Sequence, residues 1–142
     1  MGWVGSGIPT FNAAGLFRGI YLTLAGGVGT LVAAASGAAA IIVATLAAVA
    51  NLTNYISSFT VTGLGAIAAS NITIVVSGVV GGPLSFVMPV PAGVTVPINP
   101  PFTVTFSPPL AATGPNVAIL VTVPSFGAGN TSANVVSEGY RL

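Results

Sequence analysis

The chain has 142 residues, a length that corresponds to one domain, and only 2% of them are charged. An ordinary domain is about a quarter charged. Without histidine or cysteine, the sequence excludes imidazole and thiolate metal ligands, disulfides and histidine-based acid–base catalysis. One carboxylate and two arginines likewise exclude a catalytic carboxylate pair and the phosphate contacts that nucleic-acid binding needs. We therefore predict that the protein is not an enzyme, uses no cofactor or metal ion and makes no direct contact with nucleic acid.

The hydrophobic content indicates where such a chain resides. Apolar residues make up 54% of the sequence, and no charged residue stands between Arg18 and Glu138. Disordered chains combine low hydrophobicity with high charge, so we expect this chain to fold. A soluble monomer needs mixed surface charge to stay dispersed. We therefore expect the folded chain to be covered by neighbouring protein subunits or by a bilayer.

Residues 1–19 are rich in glycine and also contain Trp3, Phe11 and Phe17. Glycine and proline at this density interrupt regular secondary structure, whereas large aromatic side chains favour a pocket. We interpret residues 1–35 as an extended glycine-rich arm, in which the three aromatic residues and Arg18 contact a neighbouring subunit. A loose chain terminus is the alternative interpretation.

Residues 20–50 are uncharged and allow two interpretations. As a helix, this segment is long enough to cross a bilayer. Its glycines at 26, 27 and 29 and its many alanines argue against a membrane helix, since they supply little transfer free energy. The β-branched run at residues 41–43 is instead typical of a buried strand. Composition alone leaves both possibilities open.

From residue 52 onward, short runs alternate between apolar and polar residues with a period of two. Glycine and proline clusters separate these runs, a pattern typical of an antiparallel β-sandwich or barrel. Many of the prolines stand at strand ends or along edges, where they block pairing with another sheet. The runs predict strands over 55–62, 71–77, 84–88, 102–106, 117–123 and 133–142, with a core that includes Phe59, Ile74, Phe86, Phe102, Phe106, Ile119 and Val121.

An alanine-rich stretch is followed by six short segments with a recognisable pattern. They are Asn54-Tyr-Ile-Ser-Ser-Phe-Thr-Val-Thr62, Ile72-Thr-Ile-Val-Val76, Val90-Pro-Ala-Gly-Val-Thr-Val96, Phe102–Phe106 with Pro108-Pro-Leu110, Asn116–Val123 and Gly139-Tyr-Arg-Leu142. Through these segments, residues 36–142 are similar to a diffuse family of small structural proteins of tailed bacteriophages. The resemblance implies an all-β domain over 36–142, an antiparallel β-sandwich or jelly roll, whose first strand lies within 38–50.

The resemblance also implies a function, that of a capsid decoration (cement) protein on the outer surface of a virion. Such a protein bridges neighbouring capsomers and stabilises the shell. Its partners would be the major capsid protein and copies of itself, as a dimer or trimer, with no membrane involved. Most of its surface would then be interface, which agrees with the scarcity of charge.

Two other functions remain open on the sequence. The first is a membrane-anchored or pilin-like filament subunit, with a hydrophobic helix at 20–50 and an external β-domain over 52–142. The second is a ligand-binding or adhesive β-domain such as a fibre tip. A helix at 20–50 would distinguish the filament subunit from the decoration protein, which needs none.

Overall fold

A computed structural model describes residues 30–142, and this part of the chain forms eight β-strands and no helix. The all-β prediction is therefore confirmed. The strands are β1 (Thr30–Gly37), β2 (Ile42–Leu46), β3 (Asn54–Gly63), β4 (Ser70–Ser77), β5 (Leu84–Val90), β6 (Phe102–Ala111), β7 (Ile119–Val123) and β8 (Ala133–Arg141).

The strands form two antiparallel four-stranded sheets that pack together. One sheet has the order β1-β8-β3-β6 and the other the order β2-β7-β4-β5. The pairings are nested, because β4 pairs with β5, β3 with β6, β2 with β7 and β1 with β8. The predicted antiparallel β-sandwich is confirmed.

The period-two pattern produces the core between the sheets. In β2, Ile42, Ala44 and Leu46 are buried, while the residues between them are exposed. Strand β7 repeats the pattern with Ile119 and Val121 at full burial. Because alternate side chains of a strand point to opposite faces, one face of each sheet supplies the core and the other faces outward.

The predicted core is confirmed for Phe59, Ile74, Ile119 and Val121, all of which are fully buried. The other three members, Phe86, Phe102 and Phe106, are only half-buried and pack against the core from its rim. Their ring centroids lie 5.6 to 6.4 Å from that of Phe59. They are half-buried because β5 and β6 are the outermost strands on this side, with no further strand to cover them.

The structure also settles the conformation of residues 30–50. Strand β1 begins at Thr30, ahead of the boundary expected at residue 36, so the sandwich includes residues assigned to the arm. Strand β2 lies within 38–50, where the resemblance implied a strand, but it is the second strand and not the first. A helix over 20–50 is wrong for residues 30–50, which pair with β8 and β7 instead. Over residues 30–142, no helix has the length and hydropathy to cross a bilayer.

Candidate functional site

Four connections meet at one end of the sandwich, which we call the loop end. They are the β1–β2, β3–β4, β5–β6 and β7–β8 connections, at residues 38–41, 64–69, 91–101 and 124–132. They share one end because consecutive strands run in opposite directions, which places every second connection at the same end of the sandwich. None of these four connections contains a charged residue or a histidine. The loop end is therefore an electrically neutral surface.

Asn130 joins three of the four connections. Its side chain is 3% exposed, and its Nδ2 donates hydrogen bonds to the carbonyl oxygens of Leu64, at 2.7 Å, and Ser132, at 3.0 Å. Its Oδ1 accepts a hydrogen bond from the backbone N–H of Ala39, at 3.0 Å. Buried polar groups that are fully paired fix one arrangement of the chain around them. The amide of Asn130 thus fixes the relative positions of these loops.

Backbone hydrogen bonds attach the fourth connection, residues 91–101, to the loop end. Gly65 donates its N–H to the carbonyl of Val96 at 2.8 Å, and Gly93 donates to Ala66 at 2.6 Å. Position 65 must be glycine, because a Cβ there would collide with the carbonyl oxygen of Pro91. The loop end is therefore a pre-formed surface rather than a set of independent loops.

The surface of the loop end is apolar. Ile67 is 70% exposed, Ile41 is 67% exposed and Val96 is 41% exposed. Each of their three connections also contains exposed alanine. Large apolar side chains that share one exposed region are typical of protein–protein contact surfaces. Because the surface is pre-formed, a partner would not have to order it on binding, which lowers the entropic cost of association.

A groove of about 920 Å³ lies beside the loop end. Its lining contains no titratable side chain, so it offers shape, apolar contact and a few hydrogen-bonding groups. A pocket of this size is within the range that holds a small ligand or a peptide segment. The lining consists of Ala69, Ser70, Asn71, Met88, Pro89, Val90, Pro91, Val96, Pro97, Ile98, Asn99, Pro100, Pro101, Phe102 and Thr103.

The opposite end of the sandwich has a second buried amide, that of Asn54. This side chain is fully buried, and its Nδ2 lies within hydrogen-bonding distance of the carbonyl oxygens of Leu46, Ala47 and Val117, at 2.9, 3.0 and 3.1 Å. The β2–β3 and β6–β7 connections are thereby held together. Each end of the sandwich is thus fixed by one buried asparagine.

The residues that form the loop end were not predicted from the sequence. The predicted anchors, Trp3, Phe11, Phe17 and Arg18, lie outside the described residues, so the structure does not test them. Exposed Ile67 and buried Asn130 carry no local signal of their roles. The only signal that the sequence offered was the absence of charge from all four connections.

Comparison with known proteins identifies no relative, because no protein-family model, no curated protein and no solved structure matches the chain. The fold and the site are therefore assigned from their own geometry. That geometry is a neutral, apolar and pre-formed surface at one end of a β-sandwich, with a groove beside it.

Proposed function

We propose that the protein is a non-enzymatic structural protein of a virion, a capsid decoration (cement) protein that sits on the outer surface of the capsid. The observation that carries the proposal is the loop end, with its exposed Ile41, Ile67 and Val96 and its lack of charge. This surface would bind the major capsid protein. A subunit held in place by apolar contact has little need of charged residues.

The strand order supports the proposal at the level of the fold. We propose that the sandwich is a jelly roll, because the nested orders β1-β8-β3-β6 and β2-β7-β4-β5 match the strand order of that architecture. Viral capsid proteins use this architecture, and so do lectins and cupins. A fold alone does not define a function, so the fold adds to the argument from the loop end without replacing it.

The mechanism of stabilisation would be the burial of apolar surface between neighbouring capsomers. Each buried Å² contributes about 25 cal/mol before the costs of association. A decoration protein that binds as a dimer or trimer engages several sites at once, so that the second and third contacts form at high effective concentration. The summed contacts would resist the separation of capsomers under the pressure of packaged DNA.

The arm contributes a second contact in this proposal. Trp3, Phe11 and Phe17 are residue types that dominate interface energies when they fill desolvated pockets, and Arg18 stands next to the third of them. Deletion of residues 2–17 would leave the sandwich folded, because the eight strands described over residues 30–142 begin after them. The truncated protein would be incorporated into virions at lower occupancy. Normal occupancy of the truncated protein would contradict this role of the arm.

The loop end can be tested with two matched substitutions. Ile67→Lys places a charge at the loop end, and Val80→Lys places the same charge at the opposite end, where the side chain is 63% exposed. Both positions are exposed, so both variants should fold. We expect Ile67→Lys to lower occupancy on virions about tenfold, which corresponds to a loss of about 1.4 kcal/mol, and Val80→Lys to leave it unchanged. Equal occupancy of the two variants would overturn the assignment of the loop end as the capsid-binding surface.

A further inference from the structure

Strand β1 is an edge strand without the usual protection against pairing. It runs for eight residues along β8 with no irregularity in the register, and it contains neither proline nor a charged residue. The edge strands β5 and β6 contain Pro89, Pro108 and Pro109, and the edge strand β2 has only five residues. Long, flat and uncharged edges accept a further strand readily. Among the edges of the described sandwich, β1 is therefore the one suited to pairing with another chain.

The side chains of β1 are only partly covered within residues 30–142. Leu31, Ala33 and Ala35 pack against the core but remain half-buried, and Val32 on the outer face is 59% exposed. A strand paired along β1 would remove apolar surface from water on both faces of the sheet. It can do so only if its own inner and outer side chains match those of β1, because a slip by one residue reverses the faces.

The sequence of β1 is complementary to its own reversed copy. The segment Thr30–Ser36 reads Thr-Leu-Val-Ala-Ala-Ala-Ser, with a hydroxyl residue at each end and Ala33 at its centre. Side chains that lie directly opposite each other on two strands are the pairs that stabilise a sheet. Reversal about Ala33 places a large apolar side chain opposite a small one, with Leu31 opposite Ala35 and Val32 opposite Ala34. The two faces of β1 therefore match those of a second β1.

We propose that two copies of the chain form a dimer by antiparallel pairing of their β1 strands, with Ala33 on the two-fold axis. An axis perpendicular to the sheet keeps the inner faces of both copies on the same side and makes the paired strands antiparallel. The two four-stranded sheets then join into one sheet of eight strands. Pairing over Thr30–Ser36 forms about six to eight backbone hydrogen bonds between the copies.

The surroundings of β1 favour this approach of two copies. The charged residue that lies beside β1 in its register with β8 is Glu138, opposite Val32. Its carboxylate and that of the second copy would be three strand spacings apart, at least about 14 Å, which exceeds the Debye length at physiological salt. Strand β2, the edge of the other sheet, packs beneath β1, so the same axis brings the two β2 edges toward each other. No like charges therefore oppose the pairing.

The pairing also fixes the relative positions of the two loop ends. Strand β1 runs toward the loop end, because Gly37 directly precedes the β1–β2 connection. In an antiparallel pair, the two loop ends therefore face in opposite directions, one at each end of the joined sheet. Each copy would then bind a different capsomer, so that the dimer bridges the two. This last step rests on the proposed function, whereas the pairing of β1 does not.

Two matched lysine substitutions in the full chain test the contact. Ala34→Lys places a charge on the exposed outer face of β1, and Val87→Lys places the same charge on the edge strand β5, where Val87 is 62% exposed. Both variants should fold, which circular dichroism checks. By analytical ultracentrifugation at micromolar concentrations, we expect the unsubstituted protein to be a dimer. We expect Ala34→Lys to raise its dissociation constant at least about tenfold and Val87→Lys to leave it unchanged.

Single cysteines test the register, since the chain has no cysteine of its own. In Ala33→Cys the two thiols meet across the two-fold axis, with Cα atoms about 4.5–5.5 Å apart, which suits a disulfide. In the control Ala34→Cys, the two Cα atoms lie on a diagonal about 7–8 Å long, beyond disulfide reach. In a glutathione redox buffer, we expect the dimer disulfide of Ala33→Cys to have an equilibrium constant at least about tenfold larger, measured by mass spectrometry without reductant.

Each other result overturns the proposal. A monomer would show that a second copy does not occupy the β1 edge, and a trimer would require a different contact, because two-fold pairing of edges closes at two copies. Equal effects of the two lysines would place the contact away from β1. Closure of Ala34→Cys equal to or greater than that of Ala33→Cys would contradict the register. These experiments use no virion, so their outcome is independent of the occupancy test of the proposed function.

Discussion

Arg141 donates a hydrogen bond from its Nε to the Oδ1 of Asn54, at 3.1 Å. The two residues are also register partners across β3 and β8. Because Oδ1 accepts this hydrogen bond, the amide of Asn54 is oriented with Nδ2 toward the carbonyl oxygens of Leu46, Ala47 and Val117. A flipped amide would bring oxygen against oxygen at all three. One of the few charged side chains of the chain thus acts in orienting a buried amide.

Replacement of Asn54 tests this arrangement. Asn54→Ala removes the donor and leaves buried carbonyl groups without a partner, so we expect the free energy of unfolding to fall by about 3 kcal/mol. Asn71→Ala is the matched control, because Asn71 is exposed on β4, and its effect should stay within about 0.5 kcal/mol. Urea unfolding of both variants measures the difference. A loss below about 1 kcal/mol for Asn54→Ala would contradict the role of this amide.

The phenylalanine cluster permits a comparison between a central ring and a rim ring. Phe59 is fully buried, whereas Phe106 is half-buried at the rim. We expect Phe59→Ala to lower the free energy of unfolding by about 4 kcal/mol and Phe106→Ala by about 2 kcal/mol. The loss is smaller for Phe106 because its ring is half-buried, so that solvent can enter the space that the ring leaves. Denaturation curves of the two variants test the ratio. Equal losses would place Phe106 in the core with Phe59.

Gly139 is required by the close approach of β8 to β3. A Cβ at this position would collide with the carbonyl oxygen of Tyr55, next to the irregular pairing between Ile56 and Ser58. We expect Gly139→Ala to cost about 2 kcal/mol, because rigid backbone must shift to admit the methyl group. Gly114→Ala is the control, since its Cβ meets nothing within 4 Å. Thermal unfolding that moves equally in both variants would be inconsistent with this packing.

On the proposed function as a capsid decoration protein, attachment to the virion should resist salt. Charged contacts weaken as the Debye length shrinks to about 3 Å at 1 M salt, but the chain has few charged side chains to lose. We expect the protein to remain on particles after a wash in about 1 M NaCl and to be released by urea or guanidinium, which solvate apolar and peptide groups. The gel band of the protein relative to the major capsid protein measures retention. Release by NaCl alone would show that a charged contact holds it.

The alternation of side chains made most strands predictable from the sequence. The run at 71–77 lies within β4 and the run at 55–62 within β3. Strand β1 was not predictable, because Ala33, Ala34 and Ala35 give no contrast between an inner and an outer face. The rim position of Phe106 was missed for another reason. A period of two specifies the face of a sheet but not the distance of a strand from its edge.

The loop end could not be predicted, because it is assembled from segments far apart in the chain. The hydrogen bond between Asn130 and Ala39 joins residues 91 positions apart. No local pattern around Asn130 distinguishes a buried amide from an exposed one. Its sequence context even matches an N-glycosylation signal, although the side chain is buried and both of its polar atoms are used within the fold.

The nested pairing of the strands has a consequence for synthesis of the protein. Strand β8 lies between β1 and β3 in its sheet, so those two strands have no shared neighbour until the last of the eight strands has left the ribosome. The β4–β5 hairpin can form early, but the pairing of Thr30 with Tyr140 must wait for nearly the whole chain. Such long-range pairing is slow and leaves apolar strands exposed in the meantime. The nascent chain therefore exposes apolar strand surface, which favours aggregation, until its final strand inserts.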